Sequence, residues 1–311
     1  MTKPKMIIAG GTGFIGKLLA DSFQNDYEVV ILSRSKRVDN GSIRYCQWDG
    51  VSLGEWRREI NGSAVVINLT GKSVDCRHTE KNKQLMWESR IESTKIIAKA
   101  IECAEKPPTL WINASGASIY APSKERLATE DSTDFGTDFL AELSKEWENS
   151  LDFSLSDLRA SKVRRIALRT TVVLGRDEGA LQPILKACKM FLGGKQGSGT
   201  QFMSWIHQDD FVRIVRFLIE NEQIKGPINM AAPTPVTNAE FMKTLRKVCN
   251  RSFGIPTPTP LLKIGTWLIG TEADLVLQSM KVASSVLEKE KFNFLYPTID
   301  KALANIINDD K

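Results

Sequence analysis

The residues of this chain whose types and spacing bear on chemistry begin at Gly10-Gly11-Thr12-Gly13-Phe14-Ile15-Gly16. Gly11, Gly13 and Gly16 fit a G-x-G-x-x-G spacing, which permits a tight turn, approach of the backbone to a pyrophosphate, and close packing of a helix on a strand. The chemistry implied is anion binding at the positive N-terminus of the helix that follows. Roughly 20 residues further on, where an NAD-preferring site places an acid on the ribose 2′-OH, stands Ser33-Arg34-Ser35-Lys36-Arg37. An acid there would repel a 2′-phosphate, whereas Ser33 and Arg34 can hydrogen-bond and neutralise one. NADP(H) is therefore expected over NAD(H), a solvated basic loop being the alternative. A third group, Ser115-Gly116-Ala117-Ser118-Ile119-Tyr120, carries hydroxyls suited to acid and base work. A fourth, His207 with Asp209 and Asp210, invites a metal, but one histidine and two carboxylates at a helix start fit capping and dipole compensation better, so no metal is expected.

These groups need elements to position them. The apolar run 6–9 reads as a strand, the glycines as its turn, and 17–24 as a helix; 27–33 and 43–48 read as further strands. Asp49 ends the latter, either within reach of an adenine amino group or in a surface turn. The apolar strand 64–69 fits the centre of a parallel sheet, with its C-terminal end beside the glycine loop. Leu69, Thr70 and Gly71 are thus candidates to line the cofactor. A polar, basic stretch leads to a helix over 83–104, striped by Ile91, Ile97, Ala98 and Ile101 and ended by Pro107-Pro108. Arg90 on that helix has two readings, a solvated arginine or a partner of the cofactor diphosphate. A strand over 110–114 carries the hydroxyl group at its end, and a helix at 139–151 and a strand at 165–174 follow.

Beyond these, Gly193-Gly194-Lys195-Gln196-Gly197-Ser198-Gly199 lacks the lysine-serine ending and the preceding strand of a phosphate loop, and reads as a substrate-side loop or connector. A helix at 211–221, a strand at 227–231, a helix at 238–248, a turn marked by Pro256, Pro258 and Pro260, and two helical stretches ending near Leu287 complete the reading. The expected class is α/β, a doubly wound parallel sheet of NAD(P)-binding Rossmann type with a smaller C-terminal substrate lobe. The dinucleotide domain is assigned to 1–178, completed by 203–235, and the lobe to 179–202 and 236–311.

Composition agrees with an ordinary globular chain: 42% hydrophobic and 25% charged over 311 residues, with no apolar stretch long enough for a bilayer, so no membrane is expected as partner. Five scattered cysteines, never in C-x-x-C spacing, point to reduced thiols in an intracellular and most simply cytoplasmic protein, an organelle matrix remaining open. The first strand begins so early that a secretion signal is not expected. The net charge of +5 comes from basic residues interleaved with acids, without a nucleic-acid motif, so nucleic acid is not an expected partner either. No motif names the substrate or the oligomeric state.

The chain resembles the short-chain dehydrogenase/reductase superfamily, in its extended or atypical branch, and within it an epimerase-like family. The resemblance rests on Gly10 to Gly16, Ser33-Arg34, Trp48-Asp49, Asn68-Leu69-Thr70-Gly71, Ser89-Arg90, Trp147-Glu148, Leu168-Arg169 and Val173-Leu174-Gly175. Its most specific part is Gly193-Gly194 with Gly197, Gly199 and Gln201 running into Ser204-Trp205-Ile206-His207; Asp210, Ala232-Pro233 and Val236-Thr237-Asn238 complete the set. The resemblance implies an NADP(H)-binding oxidoreductase or epimerase acting on a small carbonyl or sugar-like molecule. In that superfamily a Tyr-x-x-x-Lys pair on one helix face does the acid/base work, beside a serine from the preceding strand. Here the expected helix offers Phe139/Leu143, Leu140/Ser144 or Ala141/Lys145, and no register supplies a tyrosine. Tyr120-Ala-Pro-Ser-Lys124 matches the letters, but Pro122 opposes a helix through it. Tyr120, with Ser115 or Ser118, is the expected substitute acid, its alternative being an aromatic packed under the sheet edge. Two functions follow: a small-molecule enzyme, or a protein that binds NADP(H) without catalysis, as sensor or scaffold.

Overall fold

The computed structural model describes residues 3–153 and 162–308. Along the first strand, β1 (Lys5–Ala9), Met6 and Ile8 enter one core and Ile7 and Ala9 another. Burial on both faces is the signature of a central strand in a covered parallel sheet. In chain order the elements are α1 (Phe14–Phe23), β2 (Glu28–Ser33), β3 (Ile43–Gln47), α2 (Arg57–Ile60), β4 (Ser63–Asn68), α3 (Glu80–Glu102), β5 (Leu110–Gly116), α4 (Phe139–Phe153) and β6 (Arg164–Thr170). They continue as β7 (Val172–Leu174), α5 (Leu181–Lys189), β8 (Phe202–Met203), β9 (Trp205–His207), α6 (Gln208–Glu220), β10 (Gly226–Met230), β11 (Val236–Thr237) and α7 (Asn238–Val248). The last are α8 (Thr259–Ile269), α9 (Asp274–Leu277), α10 (Ser285–Lys289) and α11 (Ile299–Asn308).

Seven strands form one sheet in the order β10-β6-β5-β4-β1-β2-β3, every neighbouring pair parallel. Leu19, Phe23, Phe211, Ile214 and Leu218 cover one face, and Trp48, Trp56, Ile97 and Ile101 the other. The fold is therefore an α/β Rossmann sheet with helices on both faces. The chain steps outward from β1 through β2 to β3, then returns to β4 on the other side of β1. That reversal opens a crevice at the C-terminal ends of β1 and β4, where ligands of such sheets bind. A third core lies outside the sheet, where Leu181 and Leu185 of α5, Phe241 and Leu245 of α7, and Leu303 and Ile306 of α11 enclose Trp205.

Local chemistry moved several expected boundaries. The long helix starts at Glu80, because the Thr79 side chain accepts from the Asn82 N–H and caps it. Expected strand 165–174 breaks after Thr170: the Thr171 hydroxyl donates to the Met230 carbonyl at 2.7 Å, and β7 leaves the sheet to pair with β9. His207 advances the start of α6 by accepting the Asp209 N–H on Nδ1 at 3.1 Å. The helix over 238–248 has the expected bounds and is closed by a Thr237/Glu240 capping box. α11 was not anticipated, although Ile299, Ala302, Leu303 and Ile306 stand at helical spacing and are buried.

Candidate functional site

The glycine loop is shaped by contacts that forbid side chains. Gly10 has φ +74°, and a Cβ on it would lie 2.9 Å from the Leu69 carbonyl carbon, so the loop after β1 and the loop after β4 touch through bare backbone. A Cβ on Gly16 would fall 2.4 Å from the Gly11 Cα, which is why α1 can lie so close to the turn. Gly13 is different: it is exposed, and nothing lies nearer to its missing Cβ than 3.6 Å. As N-cap it supplies no side chain, and no acid stands in the first turn of α1. The N–H groups of Phe14, Ile15 and Gly16 therefore keep their donor capacity for an anion. Thr12, Phe14 and Ile15 are half-buried along this rim, the Phe14 ring packing over Gly175 and Gly179.

The end of β2 carries the expected basic group. Ser33 is buried and donates to the Ser35 carbonyl at 2.9 Å, which holds the turn. Arg34 is exposed, and its guanidinium makes no ion pair among the described residues. Asp49 is committed to its own loop, accepting from the Val51 and Ser52 N–H groups at 2.9 and 2.8 Å and from the Ser52 hydroxyl. Those bonds, the Ser52 hydroxyl first, hold its carboxyl down at about 2. The surface turn is thus what its oxygens serve in this arrangement.

Across the crevice, Leu69 and Thr70 follow β4. The Thr70 N–H is held by Asn68 Oδ1 at 3.1 Å, while its Oγ1 is buried with no hydrogen-bond partner among the described residues. An orphaned buried hydroxyl is costly unless a ligand satisfies it. Next to it, Gly71 has no side chain because the Arg90 guanidinium occupies that space, with Cζ 3.0 Å from where a Cβ would stand. Arg90 is 8% exposed. One terminal nitrogen donates to the Lys72 and Met86 carbonyls at 3.0 Å each, and Trp147 backs the guanidinium at 4.9 Å. No carboxylate pairs with it among the described residues, and burial lowers its pKa to about 10, which still leaves it cationic at neutral pH. The solvated reading of Arg90 is thereby excluded. A free donor edge at Gly13, an orphaned Thr70 hydroxyl and an unpaired buried cation fit the phosphates and riboses of a dinucleotide.

The hydroxyl group at the end of β5 divides in two. Ser115 donates to Glu148 Oε1 at 2.6 Å, and Glu148 is bound bidentately by Arg169, Nε to Oε1 at 2.9 Å and NH2 to Oε2 at 2.7 Å. Arg169 also donates to the Tyr120 hydroxyl at 2.7 Å, and that hydroxyl donates to Asn229 Oδ1 at 2.9 Å. Tyr120 is 1% exposed, and burial raises its pKa above the ordinary tyrosine value despite the nearby Arg169 charge. Its hydroxyl both donates and accepts within the chain, and with Ser115 it is tied into a buried network, an arrangement that matches the alternative of an aromatic packed under the sheet edge. Ser118 is otherwise placed. Half-exposed, it lies 3.1 Å from Ser144 Oγ on α4, which itself donates to the Leu140 carbonyl at 2.8 Å. With the Ser144 proton so used, Ser118 is the donor of the pair and keeps its lone pairs open. A Cβ on Gly116 would stand 3.0 Å from Ser144 Oγ. The Leu140/Ser144 register is therefore the one that faces the end of β5.

A family model described as the NAD dependent epimerase/dehydratase family matches residues 6–231. The chain belongs to that family. A second model, for a domain of unknown function, matches residues 257–306. The epimerase family protein YfhF of Bacillus subtilis is 33% identical over 306 residues, covering 98% of each chain. The chloroplastic homolog of epimerase family protein SDR39U1 from Arabidopsis thaliana is 34% identical, over 96% of this chain and 86% of its own. The crystal structure of human epimerase family protein SDR39U1 (isoform 2) with NADPH superposes with a TM-score of 0.86 at 29% identity, covering 98% of this chain and 99% of that one.

Among family features, the residues that sequence reasoning missed are those that hold others. Glu148, Arg169 and Ser144 belong to motifs or registers visible in the chain, and Asn229 to the expected strand 227–231, but none had an assigned role. Asn68, Thr94, Asn113 and Trp147 form a further buried set, Asn68 Nδ2 reaching Asn113 Oδ1 at 2.8 Å and Trp147 Nε1 reaching Thr94 Oγ1 at 3.0 Å. The glycine-rich loop is tied to the segments around Asn238 and Ile255–Thr257: the N–H groups of Gly194, Gln196 and Gly197 go to Ile255, Asn238 and Thr257. His207 and Asp210 hold the segment before α11: buried Asp210 accepts the Leu295 and Tyr296 N–H groups at 2.8 and 2.9 Å, and the His207 ring packs on Tyr296 at 3.9 Å. The segment of α8 and α9 is tied to the loop after β4, where Arg77 donates to the Trp267 carbonyl at 2.7 Å and Glu272 accepts the His78 N–H at 2.7 Å. Beside those ties lies an open cavity of about 470 Å³ lined by Arg77, His78, Trp267 and Glu272 among others. Among the described residues, no cluster suited to a metal and no helix long and apolar enough to cross a membrane is present.

Proposed function

We propose that the chain binds NADP(H) across the crevice and acts as an oxidoreductase or epimerase on a small carbonyl or sugar-like molecule. The observation that carries this reading is the orphaned buried hydroxyl of Thr70 together with the buried Arg90 guanidinium, which has no carboxylate partner among the described residues, beside a glycine loop whose N-cap supplies no side chain. Arg34, exposed and unpaired at the end of β2, is the residue we assign to the 2′-phosphate, and the relative solved with NADPH supports that choice over NAD(H). Bound NADPH would supply a hydride from its nicotinamide. The chain's own part is to orient the substrate oxygen. Ser118 can turn its proton from Ser144 toward that oxygen, and with no tyrosine at the Leu140 register, water is left to deliver the proton. The cavity beside Trp267, with both charges and an aromatic face, suits a polar, ring-shaped substrate.

A second reading keeps the binding and drops the catalysis. It is favoured by one observation, the filled donor and acceptor roles of Tyr120 with Leu140 and Ser144 standing at the acid/base register. Cofactor titrations and a carbonyl panel separate the two. Wild type should bind NADPH more tightly than NADH, and Arg34→Ala should remove most of the difference; equal affinities in the wild type would sink the NADP(H) assignment. NADPH oxidation that is lost in Ser118→Ala and retained per folded molecule in Tyr120→Phe supports the enzyme. Tight NADPH binding without turnover on any carbonyl supports the binding protein.

A further inference from the structure

Arg90 carries more than an anchoring charge. Its terminal nitrogen is pinned between the Lys72 and Met86 carbonyls, and Trp147 backs its plane. Its NH2 and Nε lie 3.2 and 3.3 Å from the place of a Gly71 Cβ and make no hydrogen bond among the described residues. The layer beneath is also fixed, because Thr94 Oγ1 donates to the Arg90 carbonyl at 2.7 Å and receives the Asn68 and Trp147 donors. This is a cation that cannot swing away. Its hydrogen bonds go to backbone carbonyls, and no carboxylate pairs with it among the described residues.

The position of this charge along the sheet decides what it faces. β4 and α3 open the second mononucleotide half of the fold, across the switch point from Arg34. In a doubly wound sheet each half takes one nucleotide, so the adenosine side belongs to β1-β2-β3 and the nicotinamide side to β4-β5-β6. Oxidised nicotinamide bears a positive charge, the reduced ring is neutral, and the rest of the cofactor is the same in both forms. A fixed cation in a desolvated wall acts on that difference through a low effective dielectric.

We propose that Arg90 makes this site selective for the reduced cofactor, so that the chain binds NADPH in preference to NADP+ and works as a reductase or as a reader of the reduced pool. The inference rests on the NADP(H) reading above. Attraction between Arg90 and the phosphates affects both redox forms equally and cancels in the ratio of their affinities, so the ratio isolates the ring.

The test is calorimetric titration of purified protein with NADPH and, separately, with NADP+, for wild type, Arg90→Lys and Arg90→Met. Wild type is expected to favour NADPH at least tenfold, Arg90→Lys to keep most of that preference, and Arg90→Met to bring the ratio close to one. Equal wild-type affinities would overturn the inference without disturbing the cofactor assignment. A ratio in Arg90→Met that stays at the wild-type value while both affinities fall would also overturn it, by assigning the charge to the phosphates. Failure of wild type to bind either form would refute the NADP(H) reading itself. The wild-type ratio needs no variant, so the inference is exposed even if Arg90→Met does not fold.

Discussion

Replacing Glu148 by Gln tests the buried network directly. Glu148 and Arg169 are 14% and 6% exposed at their side chains, so little water is available to take over their interaction. Gln keeps the shape of the side chain but offers one oxygen where two received Arg169 Nε, Arg169 NH2 and the Ser115 hydroxyl. Its amide N–H then points at a guanidinium that has lost its counter-charge. Breaking one partner out of such a buried pair costs about 3–5 kcal/mol. Unfolding entropy of about 2.1 cal/mol/K per residue, taken over 311 residues, gives roughly 0.65 kcal/mol/K, so the midpoint should fall by about 5–8 °C. Thermal unfolding followed by circular dichroism at neutral pH measures it. The double variant Glu148→Leu with Arg169→Met should be less destabilised than Glu148→Gln alone, because it leaves no bare charge. A Glu148→Gln midpoint within about 1 °C of wild type, or a double variant worse than the single, would refute the assignment of this cluster to structure.

Two further outcomes follow from the same geometry. Gly16→Ala drives a methyl group into the Gly11 backbone, so α1 must shift; about 1–3 kcal/mol of stability should be lost together with NADPH affinity. Gly13→Ala, where the nearest atom is 3.6 Å away, should fold normally, and titration of both variants with NADPH separates packing from ligand approach. The third outcome concerns pH. Burial lowers the pKa of His207 below its usual 6.5, against the pull of Asp209 and Asp210 and with the push of Arg176. The folded state thus resists a proton that the unfolded chain accepts; this stability is fully present above the unfolded pKa and lost as pH falls through that value toward the folded one. The melting midpoint should drop between about pH 7.5 and 5.5, and His207→Asn, whose amide oxygen can still cap α6, should show a smaller drop; an equal drop would exclude His207 as its source.

Much of the fold was legible because its signals are local. The β1 run, the glycine spacing and the apolar β4 each state their own place in the fold within a few residues. Thr70 and Gly71 could be named from their place after β4, although the reason Gly71 must be glycine lies 19 positions away, in Arg90. Helix register was harder. Whether Leu140/Ser144 or a neighbouring pair faces β5 depends on how α4 rotates against Gly116, and a periodicity of 3.6 does not resolve one residue in three. The role of Tyr120 was beyond any local reading, because Arg169 is 49 and Asn229 is 109 positions from it. α11 shows the opposite failure, since its apolar spacing was readable and only its partner, α7, was remote.

The comparison of two buried arginines shows how much the site depends on what is missing from one of them. Arg169 and Arg90 are 5% and 8% exposed and both stack on aromatic rings, Arg169 on Tyr120 at 5.2 Å and Arg90 on Trp147 at 4.9 Å. The first has a bidentate carboxylate and a phenol, so its charge is compensated within the chain and its pKa is raised above the ordinary arginine value. The second has two carbonyls, and its pKa is lowered. Desolvating a lone ion costs several kcal/mol even after relaxation. A fold that carries that cost beside a glycine turn with free N–H groups and an orphaned Thr70 hydroxyl is incomplete by itself, and an anion is the one kind of partner that would offset all three at once. The contrast also says where substitutions should act: on the melting temperature at Arg169, and on cofactor affinity at Arg90.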